Sequence, residues 1–372
     1  GGYLRILHII NNLGSGGAEK LIETFVPIMN KYDNVNVDIL ILDDKNNVFE
    51  KKLLEQGVKI FVVPIRSIRN PLNILYIRKF IIKGNYDVIH SHLFPSNYWT
   101  SIVSKTIFKN KPVFITTEHS THNKRREKWY FRNIERFIYN NYDKVISVSN
   151  ESQKNLLKWL KVKTENLNKF IVIENGIEIE KFNKAIPYYK KEINDSFNEN
   201  TILLCMVGRF SNMKDQSTII KAIKELPKNV HLLLIGDGNL KTKNIKLSEK
   251  LKLNNRVHFL GFRNDVERIL KTVDIVILSS HWEGFGLSAV EGMAAGKPVI
   301  VSNVPGLSNV VGNEELLFNK GNSKELARKV NKLISDKTLY NKMSEFCYKR
   351  SKLYTIDRMV IKYLDLYRSQ FQ

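Results

Sequence analysis

Short apolar runs alternate with helix-period segments along almost the whole chain. Arg5–Ile10, Val37–Leu42, Lys59–Val63, Val88–Ser91, Val113–Thr117, Lys144–Val148 and Lys169–Ile173 each have the length and β-branched content of buried strands. Each is followed by a loop or a helical segment. Ala18–Met29 carries a helical pattern, with Pro27 expected to kink it or stop it early. Buried strands alternating with helices predict a parallel α/β arrangement.

The pattern fails from Lys184 to Asn200. KAIPYYKKEINDSFNEN is polar, charged and aperiodic, and it reads as an interdomain linker over residues 185–200. It then restarts with strands at Ile202–Val207, Val230–Ile235, Val257–Leu260, Val273–Leu278 and Pro298–Val301, and a helix at Gln216–Glu225. Leu326–Tyr367 is helical in period. The expected architecture is two doubly wound Rossmann-like domains, residues 1–184 and 201–350, facing one another. Open parallel sheets bind ligands outside the carboxyl ends of their strands, so the expected site is the cleft between the domains.

Composition narrows the class. A chain of 372 residues is too long for one ordinary core, and an apolar fraction of 43% supports packed structure. The longest apolar runs are strand-sized, far below the about 20 residues of a membrane span. Leu4–Ile10 lacks a cleavage region after it, so no secretory leader is expected, and Gly1-Gly2 resembles a cloning remnant. Cys205 and Cys347 form neither a metal-ligand cluster nor a disulfide framework, which suits a reducing cytoplasm. The net charge of +22 concerns partners rather than fold. It leaves nucleic acid, a membrane surface and phosphorylated small molecules as candidates.

The chemistry-bearing residues follow predicted strand ends. In EGFGLSAVEGMAAGKPVIVS, residues 283–302, a helix should start near Leu287 and stop before Gly296-Lys297-Pro298. Leu287, Val290, Glu291 and Ala294 then share its inward face. A carboxylate there needs partners, and the two hydroxyls of a ribose are good ones. Glu283 precedes the helix and is placed to meet a polar ligand. Gly284 and Gly286 let backbone N–H groups approach that ligand at a helix N-terminus. Arg209 and Lys214, in VGRFSNMKDQ, suit a diphosphate, Arg in bidentate fashion and Lys as a point charge. The loop Asn12–Glu19 suits close approach of backbone to phosphate or sugar, but Glu19 occupies the third glycine position of a dinucleotide fingerprint. Asp43 and Asp44 end the second strand as a dinucleotide site would want, which leaves a dehydrogenase as a weaker alternative. His90, His92 and His119 end strands. His119 has the best claim to a ligand, while His90 or His92 would equally serve to hold loops. No D-x-D, H-E-x-x-H or paired-Cys motif calls for a metal, and fixed cations with helix N-termini can stabilise a leaving diphosphate. No cofactor is expected.

GSGGAEK, TTEHS, ENGIEIEKF, VGRFSNMKD, VHFLGFRNDV and EGFGLSAVEGMAAGKPVIVS, in that order and spanning nearly the whole chain, resemble the retaining glycosyltransferases of family 4, which have the GT-B fold. The resemblance implies transfer of a sugar, with retention, from a nucleotide diphosphate sugar to a saccharide hydroxyl. A UDP-sugar is the expected donor, with GDP as the alternative. A lipid-linked acceptor in bacterial surface polysaccharide or glycan assembly is implied too. It assigns Arg209 and Lys214 to the donor diphosphate, Glu291 to the ribose, and Glu283 and His119 to the donor sugar. Phe285, Gly286 and Leu287 would reach sugar or phosphate through their backbone, Gly16 and Gly17 would approach the diphosphate, and Phe259–Phe262, with Leu260 and Phe262, would line the base pocket. The C-terminal helix, within residues 351–372, should pack back on the first domain. The family often has Lys-Gly where this chain has Lys214-Asp215, and Pro-Ser where it has Ser279-Ser280. Trp282, beside Glu283, would shape sugar choice or merely fill space.

Fifteen Lys/Arg face four acidic residues between Lys59 and Arg136. Basic and aromatic residues interleave in residues 66–83 and 122–136, as suits the surface of an anionic membrane. The expected location is the cytoplasm, with peripheral docking on its membrane face; a solvated basic face is the bland alternative. Two rival functions remain: a nucleotide-sugar 2-epimerase on the same scaffold, and a basic nucleic-acid binder. The second is disfavoured because no nucleic-acid module is recognisable and the charge is spread over both halves.

Overall fold

The computed structural model describes residues 3–372, so the Gly1-Gly2 reading lies outside the described residues. The chain divides into two compact units. One runs to Gly176 and takes back Ile356–Gln372; the other is Ile177–Thr355.

The first unit is built on seven parallel strands: β1 (Leu4–Ile10), β2 (Val35–Ile41), β3 (Ile60–Val62), β4 (Val88–His92), β5 (Val113–Glu118), β6 (Lys144–Ser147) and β7 (Phe170–Val172). Their order is β3-β2-β1-β4-β5-β6-β7, so the winding reverses between β1 and β4. Both faces are covered, because successive residues of a strand point to opposite sides. On one side Leu7, Ile9, Ile89 and Phe114 join a core with Ile77, Tyr98, Ile138 and Leu156 from the overlying helices. On the other lie His8, His90 and His92, each fully buried, beneath the Gly17–Met29 and Ile356–Arg368 helices. Phe25 contacts the His8 ring at 5.2 Å and the Tyr363 ring at 5.7 Å.

The second unit holds six strands: β8 (Ile202–Val207), β9 (Val230–Ile235), β10 (Val257–Gly261), β11 (Ile275–Leu278), β12 (Val299–Ser302) and β13 (Leu317–Phe318). The order β10-β9-β8-β11-β12-β13 puts its reversal between β8 and β11. These sheets are the two doubly wound units expected from the strand pattern.

Three details correct the sequence reading. Residues 185–200 are not a free tether. Phe197 is buried, the Tyr188 hydroxyl donates to Asp265 at 2.6 Å, and the Tyr188 amide donates to Thr272 at 2.8 Å. The chain passes from one unit to the next at Gly176-Ile177 rather than after Lys184, because Ile179 and Phe182 are buried within the second unit. Pro27 neither stops nor shortens its helix, which runs on to Met29.

Candidate functional site

In the second unit, adjacent strands β8 and β11 each end in a candidate loop. After β8 the chain turns through Gly208 and Arg209 toward Asp215 and the Gln216–Ile223 helix. Arg209 is exposed and makes no ion pair among the described residues. Phe210 anchors the turn: it is fully buried, its ring lies 5.8 Å from that of Phe259 on β10, and its amide donates to Asp237 at 2.9 Å. Gly238 sits against this turn at φ +153, where a Cβ would lie 2.4 Å from the Phe210 carbonyl oxygen, so only glycine fits.

The two loops are tied together. Lys214 Nζ donates to Glu283 Oε2 at 2.5 Å, the His281 amide donates to the Met213 carbonyl at 2.8 Å, and Ser280 Oγ donates to Glu283 Oε2 at 3.2 Å. Ser279 Oγ donates to the Asp215 carbonyl at 2.7 Å. The proline usual in the family could not supply that bond, so Ser279 gives this chain its own hold on the basic turn. Asp215 explains the other departure. It adopts the left-handed conformation, φ 48, which suits glycine, and its carboxylate accepts from Ser217 Oγ at 2.6 Å and Thr218 Oγ1 at 2.5 Å. The sequence marked both residues as departures from the family's pattern but gave neither a role.

Gly286 caps the Leu287–Ala294 helix at φ +84, with Leu307 Cδ2 2.4 Å from where a Cβ would stand. Phe285 is buried against Tyr354, and Leu287 opens the helix. Glu291 is only 2% exposed, as expected, but burial takes in the whole of residues 289–294 rather than one face, and Leu287 is half-buried. Leu260 lies on β10 half-buried, and Phe262 follows it at 42% exposure. Glu291 apart, the polar candidates of this unit therefore converge on one sheet reversal: Arg209, Lys214 and Glu283 sit on its two loops.

In the first unit, Gly16 is the N-cap of the Gly17–Met29 helix with an ordinary φ of −78. A Cβ there would overlap the Glu19 carboxylate, so the missing side chain makes room for Glu19 at the helix N-terminus rather than relieving backbone strain. His119 follows β5. Its Nε2 is 3.0 Å from His92 Nδ1, and His92 Nε2 is 2.8 Å from His8 Nδ1. His90 bonds Tyr367 Oη at 2.6 Å and Thr117 Oγ1 at 2.7 Å. Burial pushes the His8 pKa to about 3 and that of His119 to about 4, and holds His90 and His92 well below the usual histidine range. All four rings are neutral at ordinary pH. His8, His90 and His92 have the spacing of a metal-ligand group. Five of their six ring nitrogens are already hydrogen-bonded, no carboxylate joins them, and the arrangement is that of a polar network rather than an open cation site. His90 and His92 thus hold a buried network, not loops as the sequence suggested. His8 was missed, because the register that pairs it with His90 is not visible in the chain.

The basic region is divided in the structure. Glu135, fully buried, accepts from Tyr98 Oη at 2.9 Å, Trp159 Nε1 at 2.7 Å and Arg125 Nε at 3.2 Å, with Arg126 Nε at 3.5 Å. Arg126 also pairs with Glu118 at 2.6 Å. Arg125 and Arg126 are therefore turned inward, and of the basic residues in 122–136 these two are spent on buried carboxylates. Trp129, Tyr130, Ile134 and Phe137 are exposed, as are Leu72, Leu75, Tyr76 and Ile82. No helix among the described residues is long and apolar enough to cross a membrane.

Comparison with known proteins agrees with this architecture. The family model of group 1 glycosyl transferases matches residues 190–350, and that of glycosyltransferase family 4 matches residues 15–181. An uncharacterised glycosyltransferase of Methanocaldococcus jannaschii is 31% identical over 80% of this chain and 79% of its own. The UDP-Gal:alpha-D-GlcNAc-diphosphoundecaprenol alpha-1,3-galactosyltransferase of Escherichia coli is 28% identical over 84% of each chain. The crystal structure of Anabaena HepE in complex with UDP-glucose superposes with a TM-score of 0.83 at 21% identity, over 98% of this chain and 100% of that one. With its two reversed parallel sheets and these relatives, the chain belongs to the family 4 glycosyltransferases of the GT-B fold.

Proposed function

We propose that the chain is a retaining, metal-independent transferase that moves a sugar from a UDP-sugar to a hydroxyl of a lipid-linked saccharide. The observation that carries this reading is the junction of the β8 and β11 loops, where Lys214 meets Glu283 beside an exposed Arg209. A diphosphate arriving there finds two cations of the loop after β8, Lys214 held by Glu283 and Arg209 open to solvent. Lys214 exchanges its carboxylate partner for phosphate oxygens, and Glu283 is released to the sugar hydroxyls. Glu291 takes the ribose, and Leu260 and Phe262 face the base. Arg209 and Lys214 supply the charge at the leaving group that Mg²⁺ supplies elsewhere. In this reading no side chain acts as a covalent nucleophile: the leaving phosphate takes the acceptor proton on the same face, and the protein's contribution is positioning and charge stabilisation. The names of two relatives, the Escherichia coli enzyme and an undecaprenol-linked N-acetylgalactosaminyltransferase of Campylobacter jejuni, support a lipid-linked acceptor.

A panel of nucleotide sugars screened by thermal shift tests the reading. The true donor raises the melting temperature, because it binds the folded form alone. Arg209→Ala and Glu291→Ala should each abolish that rise, and Arg209→Ala should lower kcat about a hundredfold or more, with turnover unaffected by EDTA. An intact shift in both variants would remove the diphosphate and ribose assignments. Isomerised sugar from UDP-sugar alone would instead mark a 2-epimerase.

A lipid-linked acceptor calls for access to a membrane from the cytoplasm. The exposed apolar side chains of the Asn73–Gly84 and Phe131–Asn140 helices lie among Arg69, Arg78, Lys79, Lys83 and Lys128, a composition suited to peripheral docking on anionic lipid. Sedimentation with anionic vesicles should be strong at low salt, weaker at moderate salt, and largely lost in Trp129→Ser/Phe137→Ser. Equal binding by the double variant would rule out this face.

A further inference from the structure

We propose that His92 and His8 are positioning residues for the transfer reaction: a chain of imidazole hydrogen bonds running His8 to His92 to His119 fixes His119 as the tautomer with its proton on Nδ1, so that it donates to the donor sugar. The inference rests on the reading of His119 as a sugar-facing group.

The chain is continuous, with His8 Nδ1 to His92 Nε2 at 2.8 Å and His92 Nδ1 to His119 Nε2 at 3.0 Å. Its parts come from three neighbouring strands, β1, β4 and the end of β5, at the winding reversal of the first sheet. The rings are packed: His8 and His92 stack at 5.1 Å, and His90 and His92 at 4.3 Å. His90 spends both nitrogens on Tyr367 and Thr117, so it walls the chain without joining it.

A neutral imidazole has one N–H and one lone pair, so every proton along such a chain points the same way. Two directions exist, and the closed end chooses between them. His8 Nε2 is buried and has no hydrogen-bond partner among the described residues. A buried N–H left without an acceptor is the rarer and costlier defect; a bare lone pair is tolerated better. His8 therefore carries its proton on Nδ1 and donates to His92 Nε2. His92 then carries its proton on Nδ1 and donates to His119 Nε2. His119 is left with its proton on Nδ1, the nitrogen for which the described residues provide no partner. Burial holds all these rings below the usual histidine range, so they are uncharged and the direction persists from pH 6 to pH 8. The ligand atom opposite His119 is thus required to be an acceptor, as a sugar hydroxyl oxygen is. A tautomer set by a second imidazole is the same device that orients metal-bound histidines from outside their ligand shell.

Selective ¹⁵N-histidine labelling of the full chain tests the proposal, with His119→Gln identifying the His119 signals. The expected wild-type result is one neutral His119 tautomer, protonated on Nδ1, from pH 6 to pH 8. A wild-type His119 protonated on Nε2, or a mixture, overturns the proposal without any variant. In His92→Phe the tautomer should relax to a mixture, and kcat/KM for the nucleotide sugar should fall about tenfold to a hundredfold. His92→Asn, whose amide can replace the Nδ1 donor, should restore the tautomer and most of the rate, which a merely structural role for His92 would not produce. Unchanged tautomer and kcat/KM in His92→Phe would defeat the relay even if His119→Gln is inactive. Full activity in His119→Gln would instead defeat the reading of His119 on which the relay rests.

Discussion

Lowering the pH from 6 to 5 should cost the first unit about 4 kcal/mol of stability. His8, His90 and His92 are each fully buried. Burial holds His8 near a pKa of about 3 and keeps His90 and His92 well below the ordinary value of 6.5. In the unfolded chain each titrates near 6.5, so below that pH the unfolded state binds more protons than the folded one. The stabilisation is therefore complete above pH 6.5 and is lost progressively as the pH falls toward the folded values. Each ring contributes a slope of about 1.4 kcal/mol per pH unit in that window. Residues facing the cluster are Phe25, Thr117, His119, Tyr363 and Tyr367, and none brings a negative charge that would hold an imidazolium in place. Urea unfolding at pH 7, 6 and 5 reads the effect directly, and His90→Gln should flatten it by one ring's share. A midpoint unchanged between pH 7 and pH 5 would mean that the rings are charged in the fold or open to water.

Replacing Glu135 by Ala should destabilise the same unit by about 3–5 kcal/mol. The carboxylate is wholly buried and is approached by four donors: Tyr98, Trp159, Arg125 and Arg126. Removing it strands those groups, the largest penalty falling on the Arg126 guanidinium, which is 7% exposed. Glu118 compensates one side only. The loss should appear as a lower melting temperature and a looser loop around Trp129, cleaved faster by trypsin at Lys124 and Lys128. Glu127→Ala, a few residues away on an exposed side chain, should change the melting temperature little. Equal effects of the two substitutions would show that the buried ion cluster is not what fastens this loop.

The strands were legible because buried parallel strands are written as continuous apolar runs, and twelve of them could be placed from that signal. β13 was not, since Leu317-Phe318 is too short to make a run. The segment 185–200 was misread for a related reason. Its attachment depends on isolated anchors, Tyr188 and Phe197, and single anchors in a polar stretch leave no period. At the candidate site, glycines, prolines and charges at strand ends marked the loops, and Glu291 was placed inward by helical spacing alone. The direction in which a charge points was not legible: Arg125 and Arg126 look no different in sequence from Lys124 and Lys128. The histidine network was hidden more deeply. His8 and His92 are far apart in the chain and meet only through the pairing of β1 with β4.

The return of Ile356–Arg368 to the first unit bears on how the protein is made. Tyr363 and Tyr367 close the histidine side of a sheet whose strands have all been synthesised by Val172. During translation that sheet must wait, with one side unroofed, while the whole of the second unit is polymerised. At about 5–20 residues per second the wait is on the order of ten seconds or more. Nascent chains stalled before Ile356 should therefore be the form most in need of a chaperone, and their vulnerable surface is the imidazole layer itself.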